Sequence, residues 1–315
     1  MSEKGFLNLA VLIAIFALIV SAAVFFVTKN LQKPKPTSSP SPSTQQSTIK
    51  IGLKFDKPPV QIDPFGDRRG PYYHQIFMAR STDGLIFKKE GGMLFDKASV
   101  PDTVRLPNGR ILLYSVDGAG RSNSGIMVAL SDDGGKSWDS GSLQIKGYKG
   151  KNVSGTDPQI VLLPDETLRL YTIQTNWVQS AISEDRINFT QEEGKRFEYP
   201  QITDPDVVNI NGKWFMYLSQ GPRLIATSSD DGITFKFEKV IRQNGSVSKT
   251  VYVDVDFWRQ FYCVPGGIKS SKTSDGLTFT EEPGFRLLPD QGKLICDPSP
   301  VHLGGQWLLF YKVSD

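Results

Sequence analysis

Short apolar runs separated by turn segments recur along this chain, and two turn signatures repeat with them. The first signature is Ser or Thr, any residue, Asp, a polar or glycine turn, then an aromatic. It occurs as Ser81-Thr82-Asp83-Gly84 with Phe87, Ser131-Asp132-Asp133-Gly134 with Trp138, and Ser183-Glu184-Asp185 with Phe189. Two more copies are Ser229-Asp230-Asp231-Gly232 with Phe235 and Thr273-Ser274-Asp275-Gly276 with Phe279. The Asp positions step by 50, 52, 46 and 44 residues. The second signature, out of phase with the first, is an Asp beside a Pro or β-branched residue, an apolar run, a tight turn and an aromatic-rich run. Its copies start at Pro101-Asp102, Asp157-Pro158, Asp204-Pro205 and Asp297-Pro298, with Val253-Asp254-Val255 as a degraded copy between the last two. Turns such as Asn108-Gly109, Asn211-Gly212 and Gly304-Gly305 between apolar runs are hairpin signals. Each repeat therefore predicts four strands.

The repeats begin with a third-and-fourth-strand pair from Ile76 and end with a first-and-second-strand pair from Asp297 to Val313. Joined, these halves complete one sheet and close a ring without a free edge. The expectation is an all-β, five-bladed β-propeller over residues 50–315, with Asp297–Val313 and Ile76–Phe87 in one sheet.

The N-terminus differs. No charged residue occurs between Lys4 and Lys29, and Phe6 to Val27 is nearly all apolar. That run predicts one transmembrane helix over 6–28, after a tail of residues 1–5. Residues 29–49 carry the tract KPKPTSSPSPSTQQST, which cannot bury a core and predicts a disordered linker. Lys29, Lys33 and Lys35 follow the span and pull toward a cytoplasmic domain. A stalk between one anchor and an all-β domain argues the other way, for a single-pass protein of the cell membrane with its propeller outside the cytoplasm.

Composition narrows the chemistry. The 315 residues carry a net charge of +3, with basic residues scattered, which gives no nucleic-acid footprint. Two histidines, His74 and His302, supply little for a Ser-His-Asp or zinc mechanism. No cofactor is expected, and the chain is expected to be monomeric. The two cysteines, Cys263 and Cys296, permit one disulfide, with two buried free thiols as the blander reading.

The box Ser131-x-Asp133-x-Gly135-x-x-Trp138 resembles the Asp-box of sialidases, which is structural there. The Asp-Pro hairpins resemble those of the five-bladed glycoside hydrolases: arabinanases, invertases, levansucrases and relatives. That resemblance spans about Tyr73 to Asp315. It implies a base or nucleophile at Asp102, an orienting carboxylate at Asp157, and a third group at Asp204, where the family has Glu. Carboxylates opening several first strands converge at one mouth and raise one another's proton affinity. Arg121, Trp177 and Arg223, in connections between second and third strands, are the expected substrate-binding residues. Tyr72, Tyr73 and His74 are placed to cap the mouth. The implied function is action on carbohydrate or glycoconjugate as a glycoside hydrolase-like protein. The alternative is a non-catalytic propeller that binds glycan or protein.

Overall fold

The computed structural model describes residues 52–147, 157–255 and 257–315. The predicted anchor (6–28) and linker (29–49) lie outside the described residues. The described residues form five sheets, antiparallel throughout except that Gln144–Lys146 adds in parallel to the outer strand of blade 2. Blade 1 comprises Ala98–Arg105, Ile111–Asp117, Ile126–Ser131 and Asp139–Ser142. Blade 2 comprises Gln159–Leu162, Leu168–Gln174, Trp177–Ser183 and Asn188–Gln191. Blade 3 is Thr203–Ile210, Lys213–Gln220, Arg223–Ser229 and Lys236–Arg242; blade 4 is Ser246–Asp254, Phe257–Val264, Gly267–Thr273 and Thr280–Glu281. Blade 5 takes Leu294–His302 and Trp307–Ser314 from the end of the chain and Gln75–Ser81 and Lys88–Lys89 from its beginning. The register Gln75↔Val313 through Ser81↔Trp307 makes the closure that the half-repeats predict.

One packing unit repeats at every blade interface. The aromatic of each Ser/Thr-x-Asp turn lies edge-to-face against an aromatic of the preceding blade's second strand. The pairs are Phe189–Tyr114, Phe235–Tyr171, Phe279–Tyr217, Phe87–Phe261 and Trp138–Phe310, with interplanar angles of 89°, 83°, 82°, 80° and 85°. Such geometry sets the positive edge of one ring on the negative face of the other. Where the second-strand aromatic is Tyr, its buried hydroxyl donates to a carbonyl of the facing turn: Tyr114 to Arg186 O (2.8 Å), Tyr171 to Gly232 O (2.7 Å) and Tyr217 to Gly276 O (2.8 Å). The Asp of each turn caps backbone amides; Asp231, for example, accepts from Ile233 and Thr234, which with Ser229 hold its carboxyl down at about 2. Gly232 has φ +70°, and a Cβ there would lie 3.1 Å from Trp214.

Two features depart from what the sequence predicts, at Asp254 and at the cysteines. Blade 4's copy of the second signature is not Val253-Asp254-Val255; Asp254 ends the long first strand at its far hairpin. His302 is exposed at the end of its strand and stacks on Trp307 at 4.6 Å. Cys263 and Cys296 form a disulfide, with 5.4 Å between Cα atoms, joining the second strand of blade 4 to the first strand of blade 5. The bridge closes a loop spanning 33 residues. Chain-entropy reasoning then gives it about 3–4 kcal/mol of stability. The double variant Cys263→Ser/Cys296→Ser should lose about that much in urea unfolding. An unchanged midpoint would remove the bridge from the stability account.

Residues 53–60 form a strap along blade 1. Ser142 N donates to Lys54 O (2.9 Å), Val60 N donates to Ala119 O (2.9 Å), and Phe55 joins the hydrophobic cluster between blades 5 and 1. The strap continues to a 3-10 turn, Pro71–Tyr73, beside the channel mouth.

Candidate functional site at the channel mouth

Every blade opens its innermost strand with the same short bend. Its five copies are Ser99-Val100-Pro101-Asp102-Thr103, Thr203-Asp204-Pro205-Asp206-Val207, Ser246-Val247-Ser248-Lys249-Thr250, Cys296-Asp297-Pro298-Ser299-Pro300 and, described from its second residue on, Asp157-Pro158-Gln159-Ile160. The second residue of each is left-handed: Val100 φ 51°, Asp157 φ 36°, Asp204 φ 49°, Val247 φ 51° and Asp297 φ 53°. In four blades the pairing register shifts here, as at a β-bulge. Asp tolerates this conformation, whereas a β-branched Val is strained by it.

This alignment separates two layers that look alike in sequence. Asp157, Asp204 and Asp297 share a position with Val100 and Val247. Asp102 stands two residues later, with Gln159, Asp206, Lys249 and Ser299. The upper layer lines a cavity of 340 Å³, together with Lys312, His74, Pro71 and Val116. Between the layers, Asp102, Gln159 and Lys249 and the upper-layer residues above them border a space of 30 Å³, room for about one water.

The lower layer stitches neighbouring blades. Asp102 accepts from Ile160 N (2.5 Å), Asp206 from Thr250 N (2.9 Å), and Ser299 from Thr103 N (2.9 Å). In each case the side chain takes the amide one residue further along the next blade's bend. The junction of blades 4 and 5 cannot do this, because the facing residue is Pro300, which has no N–H. There the layer carries a donor, Lys249. Its Nζ reaches back to Asp102 Oδ1 (2.5 Å) and Gln159 Oε1 (3.0 Å), and the disulfide ties the junction. Burial pushes the Asp102 carboxyl up, with Lys249 and the Ile160 amide pulling against it.

The upper layer holds three carboxylates and one ammonium. Lys312 Nζ lies 2.8 Å from Asp297 Oδ2, and both side chains are largely buried. Burial works against the charge on Lys312, but Asp297, Asp204 and Asp157 raise its proton affinity overall. Asp157 Oδ2 accepts from Asp204 N at 3.3 Å, and Thr203 Oγ1 donates to Asp204 Oδ2 at 2.7 Å. Burial, then the negative charge of Asp204, push the Asp157 carboxyl up to about 8. Burial, then Asp297, push Asp204 up to about 6. His74 closes one side, its Nδ1 2.8 Å from Ser99 Oγ, and burial lowers its pKa.

Of the residues expected from sequence, Asp157 and Asp204 meet at this mouth, and His74 borders it. Asp102 lies in the layer beneath. Arg121 is held by Asp117 (3.0 Å) and stacks on Phe55 of the strap at 4.1 Å. Arg223 donates to Gln220 Oε1 within its own hairpin, and Trp177 lies on the flank of blade 2. None of these three lines the mouth cavity. Asp297 and Lys312 are the residues that the sequence reading left out. Asp297 had a visible signal, an Asp-Pro matching those at 157 and 204; Lys312 had none, because only the register of the last hairpin, which sets it opposite Cys296, brings it beside Asp297.

The fold and the mouth define a five-bladed propeller with a carboxylate cluster on its axis. Solved structures with the same fold include a protein of unknown function from Dyadobacter fermentans (TM-score 0.55, 16% identity, 79% of this chain and 86% of that one). Others are a thermostable family-43 glycoside hydrolase (0.53, 13%, 67% and 88%) and a family 117 glycoside hydrolase of the marine bacterium Zobellia galactanivorans (0.50, 14%, 78% and 91%). The resemblance to propeller glycoside hydrolases read from the Asp-Pro hairpins therefore holds for the fold. No protein-family profile matches the chain, and no curated protein matches it in sequence.

Proposed function

We propose that the propeller acts on carbohydrate at its axial mouth, as a glycoside hydrolase-like protein. The observation that carries this reading is three carboxylates facing one ammonium in a single cavity. One counter-charge cannot neutralise three carboxylates, so one of them keeps its proton near neutral pH. A protonated and an ionised carboxyl across a sugar is the arrangement glycosidases use. Asp157 is the general acid, Asp204 the ionised partner, and Asp297 with Lys312 sets the charge balance between them. Asp102 supports this layer from beneath. The chain holds the propeller outside the cytoplasm on the apolar segment 6–28. The disulfide supports that placement, since such bonds persist in oxidising compartments.

The test is hydrolysis of a panel of aryl glycosides by the full-length chain. A bell-shaped pH profile is expected. Activity falls below about 6 as Asp204 gains a proton and above about 8 as Asp157 loses one. Stability supplies a readout that needs no substrate. Both carboxyls bind protons more tightly folded than unfolded, so their contribution is complete below the unfolded value of 3.8. It is lost as pH rises through the folded values. The melting temperature should therefore fall between pH 5 and pH 8.5, and a rise across that window would contradict the charge assignment. The second reading, a glycan-binding propeller without turnover, is favoured by Asp204 standing where the related enzymes use Glu. Retention on immobilised polysaccharide without hydrolysis of any glycoside in the panel would select it.

A further inference from the structure

Trp177 has no place in the propeller's repeat. It sits where the third strand of blade 2 begins; the matching residues of the other blades are Gly125, Arg223, Gly267 and Gln75. Each of the other four tryptophans packs into an interface between blades. Trp177 joins none of those clusters and is half-buried. A large apolar ring left partly open to solvent, outside the clusters between blades, is a feature that interface packing does not explain.

Around it opens a cavity of 550 Å³, lined by Trp177, Gly147, Gln191, Glu193, Gly194 and Lys195 among others. Gln191 gives its amide N–H to Gln179 (2.8 Å), which leaves its carbonyl oxygen as an acceptor. Glu193 is exposed, and its carboxylate has no partner among the described residues. Lys195 Nζ lies 5.6 Å from the indole centroid and 2.7 Å from Glu198, on a long, exposed side chain that can swing away from the ring. Glu192, at the back, is fully engaged by Arg169 and Ser180 and is scaffold.

We infer that this flank cavity of blade 2 is a second glycan-binding site, separate from the axial mouth, which takes a neutral sugar unit of a longer polysaccharide. The flat indole offers its π face to the C–H face of a pyranose or furanose ring. Gln191 and Glu193 accept from hydroxyls, and Lys195 donates. The unpaired carboxylate disfavours uronic and sulfated sugars. A site of this kind would keep a long polymer against the protein while the mouth works on one unit. It rests on the carbohydrate reading for its ligand class, but not on turnover.

The test is depletion from solution of the full-length chain, in mild detergent, by insoluble xylan, cellulose, chitin and β-1,3-glucan. The parent should bind at least one of these. Trp177→Ala should weaken that binding about ten-fold, and Trp177→Phe less than that, with melting temperature unchanged. Should no glycoside be hydrolysed while binding still depends on Trp177, the inference stands and the hydrolase reading falls. Binding that ignores Trp177→Ala, or a parent retained by none of the four polymers, overturns it.

Discussion

Asp157→Asn should lower turnover of an unactivated glycoside by about 10²–10⁴, the usual contribution of a positioned proton donor. Asparagine has nearly the same shape and tolerates φ 36°, the conformation found at this residue. Its amide oxygen can still accept from Asp204 N, so the bend should survive. What disappears is the proton that burial and the Asp204 charge hold there. The dependence on leaving group makes the result specific. An aryl group that departs without protonation needs no acid, so the loss should shrink for dinitrophenyl glycosides. The upper pH limb should vanish as well. A loss equal for all leaving groups, with a lowered melting temperature, would make Asp157 a structural residue. Asp102→Asn serves as the comparison. Asp102 lies outside the cavity, so its replacement should act on stability first and on turnover only through the scaffold.

The propeller was legible because its determinants are local and repeated. Each Ser/Thr-x-Asp turn carries its own amide caps and its own aromatic. Five copies at near-constant spacing gave the blade count, and the two half-repeats gave the closure. The mouth was less legible, for a geometric reason. Pro101-Asp102 and Asp157-Pro158 look like variants of one motif, but in blade 1 the proline precedes the Asp and in blade 2 it follows. The prolines, not the aspartates, are the equivalent residues. The left-handed bend that fixes this equivalence contains valine at 100 and 247, where propensity argues against such a conformation. Blade 4 has neither Asp nor Pro in its bend, which hid Val247-Ser248-Lys249 altogether. The disulfide was hidden for a related reason. Cys263 and Cys296 lie on different strands of adjacent blades, and only the packed ring brings them together.

Lys249→Met should destabilise the propeller by about 3–5 kcal/mol, as removal of one member of a buried ion pair does. Lys249 and Asp102 are both almost inaccessible to solvent and lie 2.5 Å apart. Methionine fills similar volume but leaves Asp102 buried, with the Ile160 amide as its remaining hydrogen-bond partner among the described residues. The Gln159 carbonyl oxygen loses its donor at the same time. For a domain of this size the drop in melting temperature should be roughly 6–20 °C. Salt should not mimic it, since buried pairs are screened little. The double variant Asp102→Leu/Lys249→Met tells attraction from desolvation. Replacing both charges removes the uncompensated carboxylate, and stability should return to within about 2 kcal/mol of the parent. If the double variant is instead as unstable as Lys249→Met, the bond from Asp102 to the Ile160 amide is the larger contribution. The stitch between blades 1 and 2 would then matter more than the charge pair across the axis.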